Sequence, residues 1–284
     1  MNMSSRVHRF ELERAPLVYV VAQVKFSTVE NIAKSIPDFQ DKVRKNGYPR
    51  MTAGHLTSLT FSPQSAVPEM LNSPRWDFHD RERRAGLVLT KDAISIHVTN
   101  YSNFDEFCKR VKAALDILDE TVGPALIERL GLRYVDLVRL EDGRHFYEYV
   151  NGGLLGITDR KVEAIKSSCM VNYVAETEIG ILAVRSLQRA DGQIFPPDLH
   201  PMTLTQPVAA IPLGEKFLTL DFDHYSDFQS SPMEFSSAKV ADRLWRLHDN
   251  ITLAFLASTT SVALSEWGQR ESLAEWAHHD TEAK

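Results

Sequence analysis

Cysteine is almost missing. Only Cys108 and Cys169 occur in 284 residues, neither in a Cys-x-x-Cys pair nor beside ligand-spaced histidines. No disulfide framework follows from two such residues, and Cys108 sits in a helical pattern, where a free thiol behaves as a small apolar group. Long apolar runs are missing as well: no stretch approaches the roughly 18 residues needed to cross a bilayer. Met1–Glu13 lacks the apolar core of a signal peptide. Together these absences point to a reducing cytoplasm and to no membrane partner. An excess of positive charge is also lacking. The formal net charge is −6, so no broad positive field exists to neutralise phosphates, and nucleic acid is disfavoured as a partner. The one basic cluster, Arg75 with Arg81, Arg83 and Arg84, alternates with Asp77, Asp80 and Glu82 and reads as a mixed-charge loop.

Catalytic signatures are the last absence. The chain has no GxGxxG after a strand, no Walker loop, no HExxH and no GxSxG. No catalytic residue is assigned and no cofactor is implied. An acid–base site of two or three residues placed by the fold stays open.

What the chain does have is ordinary globular chemistry, with 43% hydrophobic and 25% charged residues, enough for one large or two modest cores. Pro16 precedes Leu17–Phe26, a run rich in β-branched and aromatic residues that reads as a first strand. Val29, Ile32, Ile36, Phe39 and Val43 follow at helical spacing, broken by Pro37, which predicts a kinked or split helix. Short strands are expected at Leu56–Phe61, Arg75–His79, Gly86–Thr90 and Ala93–Thr99, with a tight turn at Lys91-Asp92. The clearest helix opens at Ser102 or Asn103, with Asp105 and Glu106 suiting its positive end. Its stripe is Phe104, Phe107, Cys108, Val111, Ala114, Leu115 and Leu118, and Gly123-Pro124 ends it.

Leu130–Leu140 reads as a strand with Arg133, Val135, Leu137 and Arg139 on one face and Tyr134, Asp136 and Val138 on the other. Further strands are expected in Met170–Leu187, Thr203–Ile211 and Lys216–Asp223, separated by a turn-rich Asp191–Pro201. A last strong helix covers Ser236–Ala257, with Val240, Leu244, Leu247, Ile251 and Phe255 inward. Asn151-Gly152-Gly153 is the candidate linker, dividing the chain into 1–150, 151–268 and a polar tail, 269–284.

The fold class is therefore α+β. Two similarly built halves are expected, each a mostly antiparallel sheet packed against a long amphipathic helix. Tyr101-Ser102-Asn103-Phe104 and Tyr225-Ser226-Asp227-Phe228 stand at the two strand exits and suggest duplication. A curved sheet around a helix and one continuous sheet across both halves both satisfy the pattern.

Pro16-Leu17-Val18, Trp76-Asp77-Phe78, Tyr101 with Phe104 and Phe107, Leu247-His248-Asp249-Asn250-Ile251 with Trp267-Gly268, and above all Arg129-Leu130-Gly131-Leu132-Arg133-Tyr134-Val135-Asp136 resemble a sporadically distributed family of bacterial and archaeal proteins. That resemblance covers roughly Pro16 to Gly268. It implies an architecture and no established activity. The family usually carries Asn at the position of Asp136.

Three functional expectations remain. The first is a non-catalytic binding or interaction protein with a bacterial protein partner. A homodimer through a sheet edge or the last helix is admitted. The second is a binder of, or enzyme acting on, a small anionic ligand in a sheet–helix cavity, with Arg129, Arg133, Tyr134 and Asp136 near it, because guanidinium forks bind carboxylate or phosphate. The third is a divalent metal at Asp221, Asp223 and Asp227, since hard cations gather several oxygens. Trp76 and His79 could form an aromatic, basic surface, but Trp76 and Phe78 share a face and read as core. His248 reads as a satisfied interface histidine, and His278-His279-Asp280 as solvated.

Overall fold

Alternation in Leu17–Phe26 (β1) sends Val20, Ala22, Val24 and Phe26 into a core and leaves Val21, Gln23 and Lys25 on the opposite side. The same logic builds β2 (Arg50–Thr60), β3 (Glu69–His79), β4 (Ala85–Leu89), β5 (Ala93–Val98), β6 (Leu126–Arg139), β7 (Cys169–Thr177), β8 (Gly180–Arg189), β9 (Phe217–Asp227) and the short β10 (Met233–Glu234). The computed structural model describes residues 10–60, 69–140, 143–157, 168–199 and 203–269. Phe61, Pro201, His278-His279-Asp280 and nearly all of the expected tail lie outside them.

The strands form one antiparallel sheet in the order β2-β3-β4-β5-β1-β6-β9-β8-β7, with β10 joined to β6. The centre is the β1–β6 pair, in which Val20 faces Tyr134 and Ala22 faces Leu132. On its other edge β6 pairs with β9, Arg133 facing Asp223. The sheet therefore runs without a break across position 150. The expected linker is a single 3-10 turn, Gly152–Leu154, on the path from β6 to β7.

Four α-helices lie among the described residues: α1 (Ile36–Lys45), α2 (Phe104–Thr121), α3 (Ser237–Ser258) and α4 (Ser261–Glu266). Pro37 does not kink a helix. It stands in the first turn of α1, where its missing N–H has no partner to lose, and a 3-10 turn at Ile32–Lys34 precedes it. Asn103 caps α2 by accepting the Glu106 N–H at 2.9 Å, and Ser236 caps α3 by accepting that of Lys239. No described helix is long and apolar enough to cross a membrane.

The long helices cover the same sheet face. Val111, Leu115 and Leu118 of α2 and Val240, Leu244 and Leu247 of α3 join Val20, Ala22, Val24, Leu130 and Leu132 in one core. Fully burying each such side chain contributes about 1.5–3 kcal/mol, so this layer dominates the stability of the fold. The opposite face holds a smaller core of Val18, Tyr19, Val135, Leu137 and Phe217 under Ile194, Phe195, Leu204 and Ile211. Tyr19 reaches it through a bulge between Leu17 and Tyr19.

One strand expectation is corrected. Thr203–Ile211 is irregular. Pro207 removes one of its donors, and its polar groups bond elsewhere: Thr205 N–H to the Arg83 carbonyl at 2.7 Å, and Thr99 Oγ1 to the Thr205 carbonyl at 2.9 Å. The segment roofs the second face instead of extending the sheet.

Candidate functional site: a buried acid between helices and sheet

The strand period of two divides the four residues expected to share a ligand. Tyr134 and Asp136 of β6 point toward the helices, whereas Arg129 and Arg133 point to the other face. The sheet itself separates the two pairs.

On the helix side lies a cavity of about 400 Å³ between β6, β9, α3, the start of α2 and the segment Phe10–Leu17. Its wall is aromatic. The His248 ring stacks on Phe104 at 3.9 Å, Trp245 stands edge-on to Phe104 at 4.6 Å, and Tyr101 stands edge-on to Tyr134 at 5.8 Å. Tyr134 Oη and His248 Nδ1 share a hydrogen bond of 3.0 Å. Phe10 and Phe222 both contact Phe255. The segment is held down by Arg14 N–H on the Trp267 carbonyl at 2.9 Å, Glu13 N–H on the Gly268 carbonyl, and a bridge between Leu12 and Gln269.

Asp136 lines this cavity from the sheet, between Leu17 of β1 and Leu220 of β9. Only 3% exposed, it has no hydrogen bond or ion pair with any described residue. Burial, and then the negative charge of Asp221, push its carboxyl up to about 8. Near neutrality it is mostly a neutral acid, able to donate a hydrogen bond or to ionise against an arriving cation. Burial also keeps the phenols of Tyr101 and Tyr134 protonated. The nearby Cys108 thiol is pushed up to about 12 by burial, which leaves it inert as a nucleophile.

On the other face Arg133 is engaged twice. Its Nε and Nη2 donate to Asp221 at 2.7 and 2.9 Å, and its Nη1 and Nη2 donate to Asp198 at 2.7 and 3.1 Å. Arg185 stands 2.7 Å from the same Asp221 carboxylate, with its Nε–H not aligned for a hydrogen bond. Arg129 lies over the Tyr225 ring at 4.0 Å, and Arg139 pairs with Glu215 at the surface. The three carboxylates expected to share a metal have different surroundings. Asp221 is fully buried and occupied by guanidinium groups, Asp223 stands beside Arg133, and Asp227 is at the exposed end of β9. Among the described residues no three His, Cys, Asp or Glu groups converge on a cation position.

Sequence reasoning missed Trp245, which sits outside the inward stripe of α3, and Asp198, whose turn-rich surroundings carry no ligand signal. It also missed His97, which with His79, expected only as part of an aromatic, basic surface, flanks Gly86 as a buried pair. His97 shares its Nδ1 with Tyr19 Oη and His79 its Nε2 with Thr203 Oγ1, while His97 Nε2 and His79 Nδ1 have no partner among the described residues. Spacing between strands decides that meeting, through the register His79–Gly86–His97. No protein-family model, curated protein or solved structure matches this chain.

Proposed function

We propose that this is a non-catalytic binding protein that holds a small organic cation in the helix-side cavity, with Asp136 as the recognising acid. The observation that carries the reading is a carboxyl, almost fully buried and unpartnered among the described residues, on the wall of an aromatic cavity. An ammonium ligand in the cavity would meet this carboxyl and form an ion pair with it as it ionises. Ring faces add about 0.5–2 kcal/mol for a cation. The other ionisable groups on the lining are Glu11, Glu13, Asp105, His248 and Arg14, so acids outnumber bases and an anion would meet like charge. The small anionic ligand expected from the sequence is therefore not proposed for this cavity. Binding is preferred over catalysis because the polar side chains of the wall hold one another, Tyr134 with His248 above all.

Calorimetry on the full chain at pH 7 tests the reading. Choline and benzylamine serve as cation probes, with benzoate and benzyl alcohol as controls. The cations should bind, and Asp136→Asn should weaken them about thirtyfold or more, the scale of losing one side of a buried charge pair. Benzylamine binding should also release protons as Asp136 ionises, visible as a dependence on buffer ionisation enthalpy. Equal cation affinity in Asp136→Asn, or tighter binding of benzoate, refutes it.

A second reading, that the protein engages a protein partner, bacterial or a second copy of itself, is favoured by β7. This outer strand pairs only with β8 among the described residues and exposes Met170, Tyr173 and Val174. Such edges accept an added strand. Light scattering should report an assembly that Val174→Lys dissolves; a monomer at all concentrations argues for the cavity reading alone.

We also read the chain as two similarly built halves. β1 and β6 lie together at the centre, and each is flanked by the strand, β5 or β9, that leads toward a long helix. Membership of the sporadically distributed bacterial and archaeal family, and residence in a reducing cytoplasm, belong to the same proposal. Both cysteines are free, in keeping with that compartment.

A further inference from the structure

The second sheet face carries a cavity of about 580 Å³, lined by β5, β1, β6 and β9 and roofed in part by Asp198, Leu199 and Thr203. Some of its charges are already paired: Arg75 donates twice to Asp77 at 2.7 and 2.9 Å, and Arg133 is held by Asp198 and Asp221. Two cations and two carboxylates stand outside these pairs, and of the carboxylates Asp92 accepts from Thr90 Oγ1 while Asp223 feels the charges of Arg133 and Arg129. Lys25 and Arg129 are direct cross-strand neighbours in the β1–β6 register, both half-buried and both on the cavity wall. Neither forms an ion pair or hydrogen bond with a described residue; Arg129 only rests over the Tyr225 ring. Like charges directly opposite one another destabilise a sheet, and here they are kept at its centre.

Beside them the floor drops. Gly131 follows Arg129 on the same face and faces Gln23 on β1 and Tyr225 on β9; it puts no side chain of its own between Arg129 and Arg133, and Tyr225 Cβ, 3.6 Å from where a Gly131 Cβ would stand, narrows the hollow from the β9 side. Glycine inside a strand commonly marks a close approach by a ligand. Gln23 is anchored by its amide to Ser95 Oγ at 3.1 Å and presents the same rim. Asp223, across from Arg133, has no ion pair with a described residue, and it bounds the depression on the β9 side.

The geometry points to a second binding site on this face, in which Lys25 and Arg129 hold a small anionic group, carboxylate or phosphate, over the hollow at Gly131. The fork of Arg129 would take two oxygens, Lys25 would add a point charge, and the bound anion would remove the cross-strand repulsion. The sheet separates this site from Asp136, and the two are proposed on different residues.

Titration of the full chain with inorganic phosphate and with acetate, against sodium chloride at matched ionic strength, tests it by amide chemical shifts and by melting temperature. Phosphate or acetate should move resonances around Lys25, Arg129 and Gly131 and raise the melting temperature beyond chloride. The tighter of the two names the ligand class. Arg129→Gln and Lys25→Gln should each lower that affinity about tenfold, the scale of one charge-assisted hydrogen bond, while Asp136→Asn leaves it unchanged. Both variants should melt no lower than wild type without anion, because the repulsion is gone. Shifts no larger than those with chloride, or equal affinity in Arg129→Gln, would overturn the site.

Discussion

Replacing Asp136 by Asn should make the protein more stable, by an amount that grows with pH. The amide has nearly the shape of a protonated carboxyl, so packing between Leu17 and Leu220 is preserved. What changes is proton linkage. In the folded chain the carboxyl keeps its proton up to about 8, whereas its ordinary value is 3.8. Between those values the native state binds one proton and the unfolded state none, so stability falls as pH rises. The slope is about 1.4 kcal/mol per pH unit. Below pH 4 both states are protonated and the term vanishes. By pH 7, some three units higher, wild type has lost about 4 kcal/mol that the Asp136→Asn variant would not lose. Above the folded value the loss levels off. Asp223 is also shifted upward by burial, but it is present in both proteins and cancels in the difference. Urea unfolding followed by tryptophan fluorescence at pH 4.5, 5.5, 6.5 and 7.5 gives the comparison, since Trp245 lies on the same cavity. The gap between the variants should widen through this series. A gap independent of pH would mean that Asp136 is ionised in the folded protein, and the account of a neutral buried acid would fail.

His97 should act in the opposite direction. Burial lowers it to about 3, below its ordinary 6.5, so its contribution is intact above pH 6.5 and lost as pH falls toward 3, by about 1.4 kcal/mol per unit. The stability difference between wild type and His97→Gln should shrink between pH 7 and 4; a constant difference contradicts the shift. Arg133→Met should cost about 3–5 kcal/mol, because Asp221 stays buried with only Arg185 beside it. A double cycle with Asp221→Asn should give a coupling above about 1 kcal/mol, and simple additivity would show that the pair is idle. Gly86→Ala would place a Cβ 2.7 Å from His97 Nε2 and 3.1 Å from His79 Cδ2, costing about 1–3 kcal/mol as the rings shift. Gly180→Ala should cost more, about 3 kcal/mol or above, since its Cβ falls 1.9 Å from the Tyr225 backbone carbonyl at φ +149°. The reverse ranking in urea midpoints would show that the β8–β9 contact yields more readily than the histidine pair.

Much of the fold was legible because local chemistry and burial agree. The Asn103 cap, the stripe from Phe104 to Leu118 and the alternation around Tyr134 each report a periodicity that the backbone enforces by itself. Alternation even assigned Arg133 and Asp136 to opposite faces. What it could not give was the meaning of that division, because a strand does not say what covers each of its sides. Thr203–Ile211 shows the converse: Leu204 and Ile211 are buried, as a strand's apolar residues would be, but against a sheet that other segments build.

The sequence by itself determined the class of the protein, most of its strands, its two capped long helices and the burial of their stripes, because these depend on groups within a few residues of each other. Tertiary structure alone decided that β6 pairs with both β1 and β9, that Arg133 meets Asp198 and Asp221, and that Asp136 has no described partner of its own. Those outcomes depend on register between strands distant in the chain. A shift of one residue would exchange the faces and bring different charges together.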